Sequence, residues 1–307
     1  MNKFDRRKMM SLFLATPLLG VSLKRPKSLH LPISCNGYNW ITFYSREGKE
    51  WGANLNQDIG EFAKSGITAY EPSIISSQHA KDILVAIQAH HIAMPSIYVN
   101  SVLHEKEAVE KSINSILEIA DIVRSFGTKI VVTNPSPIQW GGQDLKNDAQ
   151  LIIQANAMER LGTELRKRDM LLAYHTHDME LKAGAREFHH VLQNTTAKNV
   201  SFCFDVHWIY RGSQNSEVAV FDVLKMYGHR IAELHIRQSI NGIWSEVFTA
   251  HGDIDYLRFA QGLQAINIQP HLVIEQCVEK LSEKRWDAIT AHQMDLKEVK
   301  RIFSRQR

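Results

Sequence analysis

Short apolar runs alternate with longer amphipathic segments along most of the chain. The apolar runs are LPISC (31–35), GITAYEP (66–72), IAMPSIYV (92–99), KIVVTNP (129–135), MLLAYHTH (170–177), VSFCFDVHW (200–208), RIAELHIR (230–237) and HLVIEQC (271–277). Between them apolar positions recur at helical spacing, as in 78–91, 105–127, 147–168, 217–229 and 255–267, and a last helix fits 286–303. Runs of this length rich in branched and aromatic residues read as strands, and a three-to-four-residue repeat reads as helix. Strand and helix alternating eight times imply a parallel sheet. Eight such units close into a single (β/α)8 TIM barrel, expected over residues 29–307. A doubly wound sheet is the rival, but no glycine-rich phosphate loop follows the first run.

The start of the chain breaks this pattern. MNKFDRRKMM is basic, and MMSLFLATPLLGVSL after it is apolar. A charged start before an apolar run of about 7–15 residues reads as a signal peptide, and a membrane span would need about 20. Residues 1–25 are therefore expected to be a leader, cleaved between Ser22 and Pro26. The Arg6–Arg7 pair ahead of the apolar run points to the twin-arginine route and a periplasmic location. No stable membrane insertion is expected after processing.

The formal charge of +3 is carried by residues 1–22. Lys3, Arg6, Arg7 and Lys8 outweigh Asp5 there, and the remainder of the chain is near neutral. A near-neutral chain makes a poor footprint for nucleic acid, so no nucleic-acid partner is expected. Cys35, Cys203 and Cys277 lie inside apolar runs with no tight spacing, which fits small buried side chains better than a disulfide framework.

Alternate residues of a barrel strand point inward, and active groups collect at the C-terminal strand ends. In the fifth run Ala173, His175 and His177 share a parity, and in the sixth Ser201, Cys203, Asp205 and His207 do. In the seventh Glu233, His235 and Arg237 share one, and in the eighth His271, Val273, Glu275 and Cys277. The opposite parity is almost wholly apolar, as a helix-covered face demands. Each of these strands thus places ionisable groups inward near its end. Two imidazoles and two carboxylates suit one divalent ion such as Mn²⁺, Co²⁺, Zn²⁺, Fe²⁺ or Ni²⁺. Burying four such groups together without a cation is costly.

Four segments then carry a family resemblance. They are YHTHDMEL (174–181), similar to Y-[EH]-N-H-x-x-E-F; FDVHWIYRG (204–212), similar to D-x-x-H-x-x-x-x-G; ELHIRQ (233–238), similar to V-H-x-K-D; and HGDIDY (251–256), similar to G-x-G-x-[IV]-D. Over about residues 31–300 the chain resembles the xylose isomerase-like TIM-barrel superfamily, the sugar phosphate isomerase/epimerase group, in its Y-H-N-H subgroup. The tagatose/psicose epimerase branch holds one metal on glutamate, aspartate, histidine and glutamate from strands five to eight. Carried over, the resemblance implies His175, Asp205, His235 and Glu275 as the ligands. His175 stands where that branch has a glutamate that moves a proton, so symmetrical two-base epimerisation is not expected. Arg237–Gln238 replaces Lys-Asp, Thr176 replaces Asn and Ala250 replaces a glycine.

The shared chemistry of this group is proton abstraction beside a carbonyl. Glu275 and His177 are the expected proton-moving groups. His207, Arg237, Glu71, Trp40 and Trp208 are expected around the substrate, with Phe43 as a further apolar wall and Glu180 as a brace for the loop after strand five. Glu71 has a second reading as the acceptor for a ligand histidine. The expected function is a metal-dependent isomerase or epimerase acting on a non-phosphorylated carbohydrate. The alternatives are a 3-keto-glycoside lyase on the same scaffold and a metal-free sugar-binding relic. A phosphodiesterase of the apurinic endonuclease branch needs a basic face that the near-neutral charge does not supply. A homo-oligomer is compatible with the sequence.

Overall fold

The computed structural model describes residues 31–303, so the leader read from residues 1–25 lies outside the described residues. Eight parallel strands form the barrel: β1 (Ser34–Asn36), β2 (Ala69–Glu71), β3 (Ser96–Tyr98), β4 (Ile130–Thr133), β5 (Leu171–Tyr174), β6 (Val200–Asp205), β7 (Ile231–Ile236) and β10 (His271–Ile274). A two-stranded hairpin, β8 (Ser239–Ile240) and β9 (Ile243–Trp244), follows β7. The sheet runs β2-β1-β10-β7-β6-β5-β4-β3. Hydrogen bonds from Tyr70 N to Ala93 O and from Tyr98 N to Pro72 O, both 2.9 Å, join its two edges and close the barrel. Closure leaves the eight-stranded sheet without an exposed edge.

The helices are α1 (Gly37–Arg46), α2 (Leu55–Lys64), α3 (Ser77–Ala89), α4 (Lys106–Val123), α5 (Asp148–Arg166), α6 (Lys182–Gln193), α7 (Val206–Gly212), α8 (Glu217–Tyr227), α9 (Tyr256–Ala265) and α10 (Ala288–Phe303). Polar side chains start them by accepting orphan backbone N–H groups. Ser76 caps α3, Asp255 caps α9, and Asn147 with Gln150 forms a reciprocal capping box at α5. Each helix turns its apolar stripe onto the barrel, and most of the core lies in that layer. No helix among the described residues is long and apolar enough to cross a membrane.

Two features depart from the periodicity. The run 200–208 is not one strand: β6 stops at Asp205, whose side chain accepts from Trp208 N and starts α7. The strand-like run also hid a helix start, because Val206 and Ile209 are buried in either conformation. In α6, Ala183, Gly184 and Ala185 adopt positive φ, which interrupts the helical repeat over LKAGAR.

Inside the barrel, Ile130, Val132, Ala173 and Cys203 form a small apolar plug. A polar core rises beside and above it in register. Cys203 pairs with Glu233 and Glu233 with His271; in the next layer Asp205 pairs with His235 and His235 with Val273. Glu275 follows one residue after β10 ends, two beyond Val273 on the inward parity.

Candidate metal centre

The end of β5 is built to present His175. Its N–H donates to Thr133 O at 2.9 Å, which extends the ladder with β4 by one residue. Asn134 then donates to His175 O at 3.1 Å and to Glu180 Oε1 at 3.0 Å. The other oxygen of Glu180 accepts from His177 N at 2.7 Å, so this carboxyl braces the turn carrying both histidines. Burial and the nearby Glu187 push Glu180 up to about 7.

His175, Asp205, His235 and Glu275 offer donor atoms that all lie within 4.8 Å of one another, and all four residues are buried. His175 Nε2 is 3.5 Å from Asp205 Oδ2. Neither atom has a hydrogen-bond partner, and His175 Nδ1 has none either. Orphaned buried donors and acceptors of this kind are costly unless something else satisfies them. Mixed imidazole and carboxylate atoms converging on one point fit a single divalent ion. Burial, with Glu275 close by, raises the Asp205 carboxyl well above its ordinary range. Burial and His235 lower His175 to about 3.

Glu275 is tied on both oxygens. Oε2 lies 3.1 Å from His235 Nδ1, and Oε1 is 3.0 Å from Arg237 Nη2. Arg237 Nε also donates to Glu275 O at 2.7 Å. Burial opposes the charge on Glu275, but Arg237 and His235 together outweigh it and hold the carboxyl well below its ordinary range. The guanidinium itself packs 4.1 Å from the ring centre of Trp244 and 5.5 Å from that of Trp208. Arg237 therefore acts on Glu275 first, and its Nη1 is left without a partner.

His177 stands beside the donors, its ring centre 4.8 Å from that of His175. Trp208 and Trp140 both meet it edge-on at 5.2 Å. His177 is partly exposed, and its Nδ1 has no partner. Burial and the neighbouring His175 hold its pKa down at about 3, so it is a neutral imidazole at ordinary pH.

Four expected substrate contacts sit elsewhere. Trp40 is fully buried in the helix layer, stacked on His292 of α10 at 5.0 Å and packed against Trp51 and Phe62. Phe43 shares that cluster, edge-on to His292 at 5.2 Å. Both lie on α1, whose apolar face turns toward the neighbouring helices rather than the barrel mouth. Glu71 lies beneath His235, with Oε2 3.1 Å from Nε2, and not on a substrate-facing surface. Burial raises the Glu71 carboxyl, but His235 and its hydrogen bonds bring it down to about 2. His207 is on α7, so helical rotation replaces strand parity; its Nε2 meets Ser239 Oγ at 2.9 Å and Trp208 takes the inward position. Burial and Arg237 hold the His207 pKa well below its usual value.

Sequence reasoning missed Trp140, Tyr98 and Trp244. Tyr98 meets the His175 ring edge-on at 5.4 Å. Trp140 belongs to the loop after β4 and Trp244 to β9 of the hairpin after β7, and their position beyond strand C-terminal ends was the available signal.

The motif glycines have steric reasons. A Cβ at Gly212 would meet Leu181 Cβ at 2.9 Å, so α7 could not close on the turn that carries His177. One at Gly252 would meet Ser239 O at 2.5 Å. That contact lets Asp253 accept from Ser239 Oγ and the N–H groups of Asn241 and Gly242.

A model of the family described as xylose isomerase-like TIM barrel matches residues 59–298. The chain belongs to that family. Among curated proteins it is similar to an inosose dehydratase of Clostridium perfringens, 22% identical over 259 residues, which covers 74% of this chain and 83% of the relative. Solved structures share the fold. A sugar phosphate isomerase/epimerase from Parabacteroides distasonis superposes with a TM-score of 0.64 at 18% identity, covering 89% of this chain and 94% of the other. A xylose isomerase-like TIM barrel protein from Mycobacterium smegmatis, in complex with magnesium, gives 0.66 at 13% identity over 90% and 98%.

Proposed function

We propose that this protein is a divalent-metal-dependent enzyme that removes a proton beside the carbonyl of a non-phosphorylated keto-sugar and completes an elimination. The observation that carries the reading is the asymmetry between Glu275 and His177. Both Glu275 oxygens are engaged by His235 and Arg237, so this carboxylate serves as a ligand and not as a mobile base. His177 is partly exposed, keeps an unpartnered Nδ1 and is flanked by aromatic edges, which leaves it as the proton acceptor. A cation on His175, Asp205, His235 and Glu275 supplies polarisation of the substrate carbonyl when bound. Trp208 and Trp140 offer apolar edges to the ring being held.

With one base, the proton leaves the carbon next to the carbonyl and the leaving group departs from the neighbouring carbon. A conjugated double bond forms, and water or an alcohol is released. The likeness to an inosose dehydratase supports elimination. Isomerisation or epimerisation of a free ketose is the second reading, supported by the likeness to the Parabacteroides distasonis protein. Export of the mature chain, read from residues 1–25, is part of the proposal, and it also favours a non-phosphorylated substrate.

The test is incubation of Mn²⁺- or Co²⁺-loaded protein with an inosose, with 3-keto-glycosides and with free ketoses. Loss of water or release of the aglycone without epimer formation supports elimination. Formation of a C-epimer without any loss overturns it in favour of the second reading.

A further inference from the structure

The two nitrogens of His235 face different surroundings. Nδ1 is 3.1 Å from Glu275 Oε2, within the group of four donors. Nε2 faces the barrel interior, 3.1 Å from Glu71 Oε2 and 3.2 Å from Glu233 Oε1. Glu71 is itself anchored, because Asn36 Nδ2 donates to its Oε2 at 2.6 Å. Asn36 caps α1 in turn, its Oδ1 accepting from Tyr38 N at 2.8 Å. A continuous set of hydrogen bonds thus runs from the start of α1 through Asn36 and Glu71 to His235. All three side chains are buried, so water does not compete for these bonds.

We infer that Glu71 is a positioning residue for the metal ligand His235: it accepts the hydrogen bond from Nε2–H, fixes the ring and leaves the Nδ1 lone pair for the cation. The inference rests on the metal reading above. Histidine ligands commonly donate their other N–H to a carboxylate, which sets the tautomer and strengthens the ligand. Cys203, Glu233 and His235 are also close enough to suggest a second metal site deeper in the barrel. Two contacts favour a hydrogen-bond network there instead. The Cys203 thiol donates to Glu233 Oε1 at 3.7 Å, and Nε2, the nitrogen such an ion would need, already has Glu71. Glu233 is the neighbour of this contact, whereas Glu71 alone is tied to a helix start.

Two measurements test it, both with Zn²⁺ as the probe. The first is competition of the wild type and Glu71→Gln with a chelating dye. The dissociation constant of Glu71→Gln is expected to rise by about 10–100-fold. Equal affinity in the two proteins overturns the positioning role while leaving the metal site standing. Failure of the wild type to bind Zn²⁺ instead overturns the metal reading on which the inference depends. The second is ¹H–¹⁵N correlation of histidine-labelled, Zn²⁺-loaded wild type, which decides the matter even if Glu71→Gln does not fold. A proton on His235 Nε2 with metal on Nδ1 is expected; the reverse assignment overturns the inference.

Discussion

His175 Nε2 and Asp205 Oδ2 lie 3.5 Å apart at the C-terminal end of the barrel, and neither has a hydrogen-bond partner. The two side chains come from strands that neighbour each other, β5 and β6. Burial raises the Asp205 carboxyl well above its ordinary range, and Cys203 and Glu71 raise His235 well above its usual value. A metal needs Asp205 as carboxylate and His235 with a free lone pair, so binding favours release of protons from these groups. Metal affinity is therefore expected to rise with pH through the neutral range. Calorimetric titration in buffers of different ionisation enthalpy measures the release, and at least one proton per ion bound is the expected result.

Arg237 neutralises Glu275, and a cation bound as proposed would share that task. Replacing Arg237 by Met leaves a buried carboxylate paired with His235 alone. Breaking a buried pair in this way costs about 3–5 kcal/mol. Arg237→Met is expected to melt well below the wild type when stripped of metal, and added Zn²⁺ is expected to recover part of the loss. Thermal melts with and without Zn²⁺ make the comparison.

His177→Gln separates chemistry from metal binding. His177 makes no contact that the four donors need, and a proton-transfer group contributes about 10²–10⁴-fold to rate. The variant is expected to lose that much turnover while its Zn²⁺ affinity stays near that of the wild type.

Asp295 gives a stability prediction away from the site. It is fully buried on α10, and Phe248 N donates to one oxygen at 2.6 Å while the other has no partner. Burial raises its carboxyl well above the ordinary value. A folded-state pKa above that of the unfolded chain means the contribution is full below about 3.9 and is lost as pH rises through the folded value. Asp295→Asn is expected to raise the melting temperature at neutral pH and to leave it nearly unchanged near pH 3, which melts across the pH range measure.

The barrel was legible because its eight strands are short apolar runs set apart by helical repeats. The gathering of the four buried donors was legible because strand parity carries through Asp205, His235 and Glu275 at adjacent strand ends. Parity failed where the strand stopped. His207 lies past the end of β6, so the first turn of α7 turns it to Ser239 and brings Trp208 to the cavity. Trp40 and Phe43 follow β1 closely in sequence, yet they sit on α1, where helical facing sends them to His292. Glu71 was placed correctly at its strand end, but only the register of the closed barrel sets it under His235. Trp140 lies on a loop, and no periodicity marks which loop residue folds over the site.

The most direct test is the metal content of the purified protein, measured by elemental analysis beside His235→Ala. One divalent ion per chain in the wild type, lost in the variant, is the predicted result. A wild type that carries none and binds none from Mn²⁺, Co²⁺ or Zn²⁺ solutions would contradict the central claim that His175, Asp205, His235 and Glu275 form a metal centre.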